Sequence, residues 1–386
     1  MKRTARLAAA LLAGMALAAG GYVGALVLLD SPSFAWRVLR HGQSNPADLH
    51  LFPARPISPA AEPMPIAHAP DTAPDPALRA LIERSGTHAF LWYQHGRVIA
   101  AYTAPGQEGA LHTSFSVAKS VLALLIGIAI EEGHLGGLDD RLTDHLPELR
   151  GLGFDDITLG DLLAMEAGIA YRPADGLPLP LRAFSDDALT YYAPDLRRLA
   201  LRARADASPP GFRYNNYHPL LLGMVLERAT GQPVARYLQE RLWQPMGAAH
   251  AASWSLDSEA SGFEKMESGF NATVQDYLRL GLLMLHGGRV NGRQVVPEAW
   301  LARITAPQPG RVWHRFDDLR ARGTDYGLMW WLHEHATGRD AYAHGMHGQI
   351  IHVSPDSGAV VVRLGAENDP ALWWPDEIRR LLDRDE

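Results

Sequence analysis

The sequence predicts an α/β protein of the α+β kind, with an antiparallel sheet flanked by helices and an all-helical subdomain inserted between early and late strands. Three observations carry this. Short β-rich segments lie near both ends of the chain, at 88–103 and 326–365, so one sheet must be completed by early and late pieces. The region between about 134 and 300 reads as successive helices, each with helical periodicity and a glycine stop. Residues 117–130 are almost wholly apolar, which is how a helix buried on most sides reads.

A chain of 386 residues with 47% hydrophobic content buries a large core. The net charge of −7, with no basic run beyond residue 6, leaves no electrostatic footprint for nucleic acid. The absence of cysteine removes disulfides, thiol nucleophiles and Cys-based zinc or iron–sulfur sites. No metal and no cofactor is called for, and the oligomeric state is not legible.

In order, Lys2, Arg3 and Arg6 precede 23 uncharged residues, 7–29, a length that suits a transmembrane helix of ~20 residues better than a signal peptide's ~7–15. The expectation for 1–30 is a membrane anchor, with cleavage near Ala18 as the alternative. It places the catalytic domain on the periplasmic side of a bacterial inner membrane, or exported after cleavage. Residues 31–77 hold a proline-dense stretch, nine of the 27 prolines falling between 46 and 76, and read as an extended spacer, although "LHLFPARPI" has enough apolar residues to pack on the domain's surface. The domain then runs 78–386. "ALRALIERSG" reads as a helix ending at Gly86 and "HAFLWYQHGRVIAAYT" as a hairpin turning at His95 and Gly96. Thr158 reads as the cap of "LGDLL", and "PDSG" joins the last two strands. "PDEIRRLLDRDE" closes the chain as an amphipathic helix.

Within the apolar helix, Ser116 and Lys119 stand three residues apart, hence on one face, so the amine reaches a hydroxyl in the first turn. Desolvation disfavours a buried ammonium and frees the amine to act as a base. The chain has 36 basic residues but only three lysines, at 2, 119 and 265. Arginine cannot give up its proton, so a chain that uses arginine almost everywhere needs something else at 119. A Ser-x-x-Lys spacing alone equally fits a snorkelling lysine, and it is the burial that favours chemistry. A second candidate is "PGFRYNNYHPLLLG", where Pro209, Pro210 and Gly211 force a loop that delivers Tyr214, Asn215 and Asn216 ahead of a helix. A third is "YAHGMHGQIIHVSP", where Gly345 and Gly348 flank Met346 and His347, and where an amide can complete an oxyanion hole with that of Ser116.

The order of "SVAK", "YNN" 98 positions later, and a glycine-rich strand opening at "HGMHGQ" resembles the serine beta-lactamase and penicillin-binding-protein superfamily. Tyr-x-Asn looks like the class C beta-lactamase and esterase branch, and the third motif, ending in Gly-Gln, is most similar to the 6-aminohexanoate-dimer hydrolase group. The resemblance covers roughly 80–380 and implies a beta-lactamase-like fold and a serine hydrolase working through an acyl-enzyme. It makes Ser116 the nucleophile, Lys119 its base, Tyr214 the proton relay and Asn216 a contact to the substrate amide. His344, Gly345, Met346 and Gln349 then line the substrate site, with the amides of Ser116 and Met346 as the oxyanion hole. Where beta-lactamases carry Lys-Thr-Gly, this chain reads Ala343, His344, Gly345, so the cation that grips a substrate carboxylate is missing. The expected substrate is therefore a small ester or amide; beta-lactamase or DD-peptidase activity on cell-wall-like compounds is the alternative.

Other readings fit less well. A Ser-His-Asp hydrolase lacks its G-x-S-x-G elbow despite 17 histidines, and "HEH" at 333–335 lacks a third metal ligand in view. An inactive, membrane-tethered binding module would have no use for an intact Ser, Lys and Tyr set.

Overall fold

The computed structural model describes residues 2–206, 211–336, 338–366 and 372–384, with the backbone alone for 2–12. Its main sheet has seven strands in the order β3-β2-β13-β12-β11-β10-β9, each pair antiparallel. The early hairpin is β2 (Thr87–Gln94) and β3 (Arg97–Thr103). The late strands are β9 (Thr324–Tyr326), β10 (Trp331–His335), β11 (Gly338–Gly345), β12 (Gln349–Ser354) and β13 (Ala359–Gly365). The expected closure of one sheet by both ends of the chain is the β2–β13 pairing, with Leu91 opposite Val362. The hairpin turns where the sequence indicates: His95 and Gly96 both take positive φ, 52° and 80°.

Both sheet faces are covered. Helix α7 (Val274–Leu285) lies on the face carrying Val360 and Ile351, so closely that a Cβ at Gly281 would fall 2.4 Å from Val360 Cγ1. The opposite face, bearing Phe90 and Arg363, meets Trp374 at the start of α9 (Trp374–Leu382). Between the two sets of strands run α4 (Val117–Glu131), α5 (Asp186–Tyr192), α6 (Tyr217–Thr230) and α8 (Glu298–Ile304), with shorter helical turns between. Helix α4 is central: every side chain from Val117 to Ala129 is buried. The cap at Thr158 is present, its hydroxyl accepting from the Asp161 amide at 3.1 Å.

Three expectations are corrected. The region 134–300 is not all-helical: β5 (Ala252–Ser255) and β6 (Phe270–Ala272) join β1 (Ala54–Ile57) and β4 (His112–Thr113) in a four-stranded sheet, and β7 (Arg289–Val290) pairs with β8 (Arg293–Gln294). Strands of two to four residues leave too few positions for a period-2 signal. Residues 31–77 do not stand clear of the domain. Helix α2 (Pro32–His41) buries Phe34, Ala35 and Val38, β1 pairs with β5, and Ile57 is fully buried. Prolines are tolerated because β1 is an edge strand. Among the described residues no helix is long and apolar enough to cross a membrane. The anchor expected at 7–29 lies partly outside them, since of 2–12 only the backbone is described. Helix α1 runs Lys2–Leu29, and its last turns pack on the body: Leu26 is buried and the Tyr22 hydroxyl donates to Pro180 O at 2.8 Å. Helix α3 (Pro76–Arg84) opens the domain proper.

Candidate active site

Strand β4 ends at Thr113, and the chain must turn sharply to enter α4. It does so at Phe115, whose φ of 44° is left-handed for a residue with a bulky side chain. Such a conformation costs ~1–3 kcal/mol and persists only where surroundings fix it. Here the Ser114 amide donates to Phe270 O at 2.8 Å and the Phe115 ring is fully enclosed. Ser116 then takes the position ahead of the first helical residue and makes no capping bond, so its Oγ is left for chemistry. Its amide sits at the positive end of a 15-residue helix, which favours negative charge nearby.

Lys119 Nζ lies 2.8 Å from Ser116 Oγ and donates to the carbonyl oxygen of Glu267 at 2.8 Å. The side chain is 1% exposed. Desolvation pushes its pKa down from the ordinary 10.5 to about 7, with Arg315 helping and Glu267 and Asp187 opposing. About half the lysine is therefore neutral amine at pH 7, poised next to the hydroxyl it would deprotonate.

Tyr214 completes the triangle. Ser116 is close enough to its hydroxyl to pull the phenol pKa down a little, and its ring lies under the amine, with Lys119 Nζ 5.1 Å from the ring centroid. Trp331 stacks on it at 5.6 Å, and Phe316 and Tyr326 pack edge-on. Burial drives the phenol pKa up, so Tyr214 is a protonated hydroxyl at neutral pH. Of its sequence neighbours, Asn215 caps α6 by accepting from the amides of Tyr217 and His218, and Asn216 turns toward the site wall. The Asn216 amide donates to Tyr171 Oη and Thr190 Oγ1, both at 3.0 Å, and its side-chain carbonyl oxygen accepts no hydrogen bond among the described residues. Pro209 and Pro210, expected to shape this loop, lie outside the described residues; Gly211 takes a φ of 155°.

Strand β11 brings the third motif against the nucleophile. A Cβ at Gly345 would stand 2.3 Å from Ser114 O and 3.0 Å from Ser116 N, so only glycine allows this approach. The next amide, that of Met346, consequently neighbours that of Ser116. Met346 itself is 54% exposed at the rim. His347 follows with φ 61°, a second left-handed residue, and its ring lies 5.1 Å from that of Phe115. Both candidate oxyanion donors thus adjoin a strained residue, and the two strained residues pack on each other. His344 lies 4.7 Å from the Trp373 ring, and desolvation, with Arg363 adding, lowers its pKa to about 4. It is neutral at pH 7, and Ala343 is fully buried, so neither supplies a cation.

Gln349 does not line the substrate site. It is 1% exposed, and its amide bonds the carbonyl oxygens of Met346, His347 and Gly365 and accepts from Gly365 N–H. It is a clamp between the oxyanion turn and β13, which an apolar-flanked polar residue at a strand start could have signalled.

The sequence also left several groups unassigned. Arg315 donates to Tyr214 O at 3.0 Å and pairs with Asp175 at 2.5 Å; Tyr171 bonds Asp187. Tyr171 and Thr190 thus flank Asn216, and Arg315 and Phe316 flank Tyr214. Lys265 pairs with the Glu267 carboxylate at 2.8 Å, both buried, and its rarity as a lysine was the available clue.

The beta-lactamase family profile matches residues 77–382. The chain is similar to the 6-aminohexanoate-dimer hydrolase of Paenarthrobacter ureafaciens, 27% identical over 88% of this chain and 87% of that protein. It is also similar to esterase EstB of Burkholderia gladioli, 30% identical over 45% and 46% of the two chains. A candidate 6-aminohexanoate-dimer hydrolase from Bacillus anthracis superposes with a TM-score of 0.75 at 22% identity, over 92% of this chain and 94% of that one, and thus shares the fold.

Proposed function

The chain belongs to the beta-lactamase family of serine hydrolases, and on that premise we propose that it cleaves small, uncharged amides or esters at Ser116. Hydrolases of this family act on amide and ester bonds through an acyl-enzyme. The single observation that carries the residue assignment is the 2.8 Å contact between Ser116 Oγ and a buried lysine whose pKa falls to about 7. In this reading Lys119 removes the hydroxyl proton as Oγ attacks the substrate carbonyl. The amides of Ser116 and Met346 hold the developing oxyanion. Tyr214, still a phenol, gives its proton to the leaving amine or alkoxide as the tetrahedral carbon collapses, and is reprotonated from Lys119. Water then repeats the sequence on the acyl-enzyme.

The substrate class rests on charge. With Ala343 where Lys-Thr-Gly would begin, the third motif supplies no cation, and Arg315, which bonds Tyr214 O, is already paired to Asp175. Losing a charge-assisted hydrogen bond costs ~1.5–3 kcal/mol, roughly ten- to a hundredfold in affinity. The likeness to a 6-aminohexanoate-dimer hydrolase and an esterase supports the same preference. The test has two arms. Ser116→Ala should abolish labelling by a fluorophosphonate probe, and retained labelling refutes the nucleophile. On one preparation, kcat/KM for p-nitrophenyl butyrate should exceed that for nitrocefin; the reverse order overturns the substrate reading and leaves the mechanism standing. For location, the reading is a catalytic domain outside the cytoplasm, supported by basic residues ahead of the apolar run. Packing on the body begins at Tyr22, so cleavage near Ala18 would leave it intact. Sequencing the mature N-terminus after fractionation separates an anchor from a cleaved signal.

A further inference from the structure

The oxyanion turn is held by more than the domain that carries it. His347 Nε2 lies 3.0 Å from the carbonyl oxygen of Ser44, 303 residues earlier in the chain, and Ser44 Oγ lies 3.8 Å from Met346 Sδ. Just beyond Ser44 the chain is stiffened by a capping box: Asp48 accepts from the Asn45 amide, and Asn45 from that of Ala47. The same Asp48 carboxylate accepts from the Tyr191 hydroxyl at 3.0 Å. The Tyr191 ring stacks on Phe115 at 6.5 Å, and Phe115 meets the His347 ring. Contacts therefore close a circuit from Ser44 through His347, Phe115 and Tyr191 back to Asp48. Inside that circuit lie both left-handed residues, and each adjoins one of the two amides assigned to the oxyanion hole.

We propose that residues 44–52 are a strap that positions the oxyanion hole, with His347 as the positioning residue through which it acts. The inference rests on the assignment of Ser116 and Met346 as oxyanion donors. Left-handed residues of this bulk hold their conformation only while their surroundings over-determine it. With the proton on Nε2, the His347 side chain donates to Ser44 O, and the ring cannot follow a relaxing turn without breaking that bond. Phe52 anchors the far end, its ring 5.6 Å from Tyr191 with Lys265 Nζ 4.6 Å above it. Because an oxyanion exists only in the transition state, loosening the strap should act on kcat and leave substrate binding alone.

The test uses the full chain and p-nitrophenyl butyrate, with melting temperature recorded for each variant. His347→Phe keeps the ring and loses the donor; it should lower kcat by about tenfold to a hundredfold, less than or equal to the loss of a whole oxyanion donor, with KM within about threefold. Affinity for phenylboronic acid, which forms a tetrahedral adduct on serine, should fall by the same factor. His347→Gln, whose amide can donate to Ser44 O, should recover most of both. Asp48→Ala should lower kcat in the same way, and the double variant should be no worse than the weaker single, because both cut one circuit. Normal kcat in His347→Phe, failure of His347→Gln to recover it, or losses that simply multiply would each overturn the strap. Ser116→Ala run in parallel separates the two readings: if it stays active the nucleophile assignment falls, whereas a dead Ser116→Ala beside an unaffected His347→Phe removes the strap alone.

Discussion

The pKa of Lys119 is the most exposed part of the mechanism. An ordinary lysine, at 10.5, is roughly one part in 3,000 neutral at pH 7, and one at about 7 is half neutral. Burial thus raises the population of usable base on the order of a thousandfold at neutral pH. The sign follows from the role: the base must be unprotonated, so activity is absent at low pH and appears as pH rises through the folded pKa. Measured with p-nitrophenyl butyrate from about pH 5 to 9, corrected for spontaneous hydrolysis, kcat/KM should climb about tenfold per pH unit and level off above a limb near 7. Lys119→Arg keeps the charge and much of the length but accepts no proton. It should lose at least ~10²-fold and, with it, the limb itself. A rise that continues to pH 9 with no plateau would show that desolvation does not lower this lysine, and near-normal turnover by Lys119→Arg would show that the base is another group.

Neighbouring charges should move that limb in opposite directions: Arg315→Gln removes a repulsion and shifts it to higher pH, and Asp187→Asn removes an attraction and shifts it to lower pH, both read from the same profile. Gln349→Ala leaves the Gly365 N–H buried without its acceptor, so chemical denaturation should show a loss of ~1–3 kcal/mol, accompanied by a drop in kcat with KM held. Phe34→Ala, in helix α2, should cost ~3–5 kcal/mol by the same measurement, whereas a side chain on a free spacer would cost almost nothing.

What was legible in the sequence was whatever announces itself locally. The apolar run of α4 with one lysine in it, the His95–Gly96 turn and the capping Thr158 each carry their reason in adjacent residues. The pairing of Ser116 with Lys119 is likewise a matter of helical spacing. What was not legible depends on distant chain meeting. The apolar residues of "LHLFPARPI" allow packing on the domain, but nothing near Ala54 says that "ARPI" will find a strand edge at Ala252–Ser255, and proline density argued against a strand. The role of Gln349 depends on Gly365, across the β12–β13 pair, and that of His347 on Ser44. Tyr214 is an instructive middle case: its place beside lysine could be read, but its protonation could not. That is set by the aromatic wall of Trp331, Phe316 and Tyr326, which arrives from the far end of the chain.

The two buried lysines show why one fold position yields a base and another a brace. Both meet Glu267, but through different atoms: Lys265 takes its carboxylate at 2.8 Å, and Lys119 takes only its main-chain carbonyl, also at 2.8 Å. A carbonyl oxygen accepts an N–H from a neutral amine as well as from an ammonium, though more weakly, so it aims Lys119 at Ser116 without requiring that it be charged. The carboxylate would demand charge, and its pull on Lys119 is weakened because Lys265 already neutralises it. Desolvation is then the largest influence at Lys119, and the amine appears near neutral pH. Lys265 is instead held by a carboxylate, by Tyr191 O at 2.7 Å and by the faces of Phe52 and Tyr191, each 4.6 Å away. The short segment 264–268 thus separates two jobs that a single ion pair would have merged, and an arginine at 119 would have been unable to perform the one that matters.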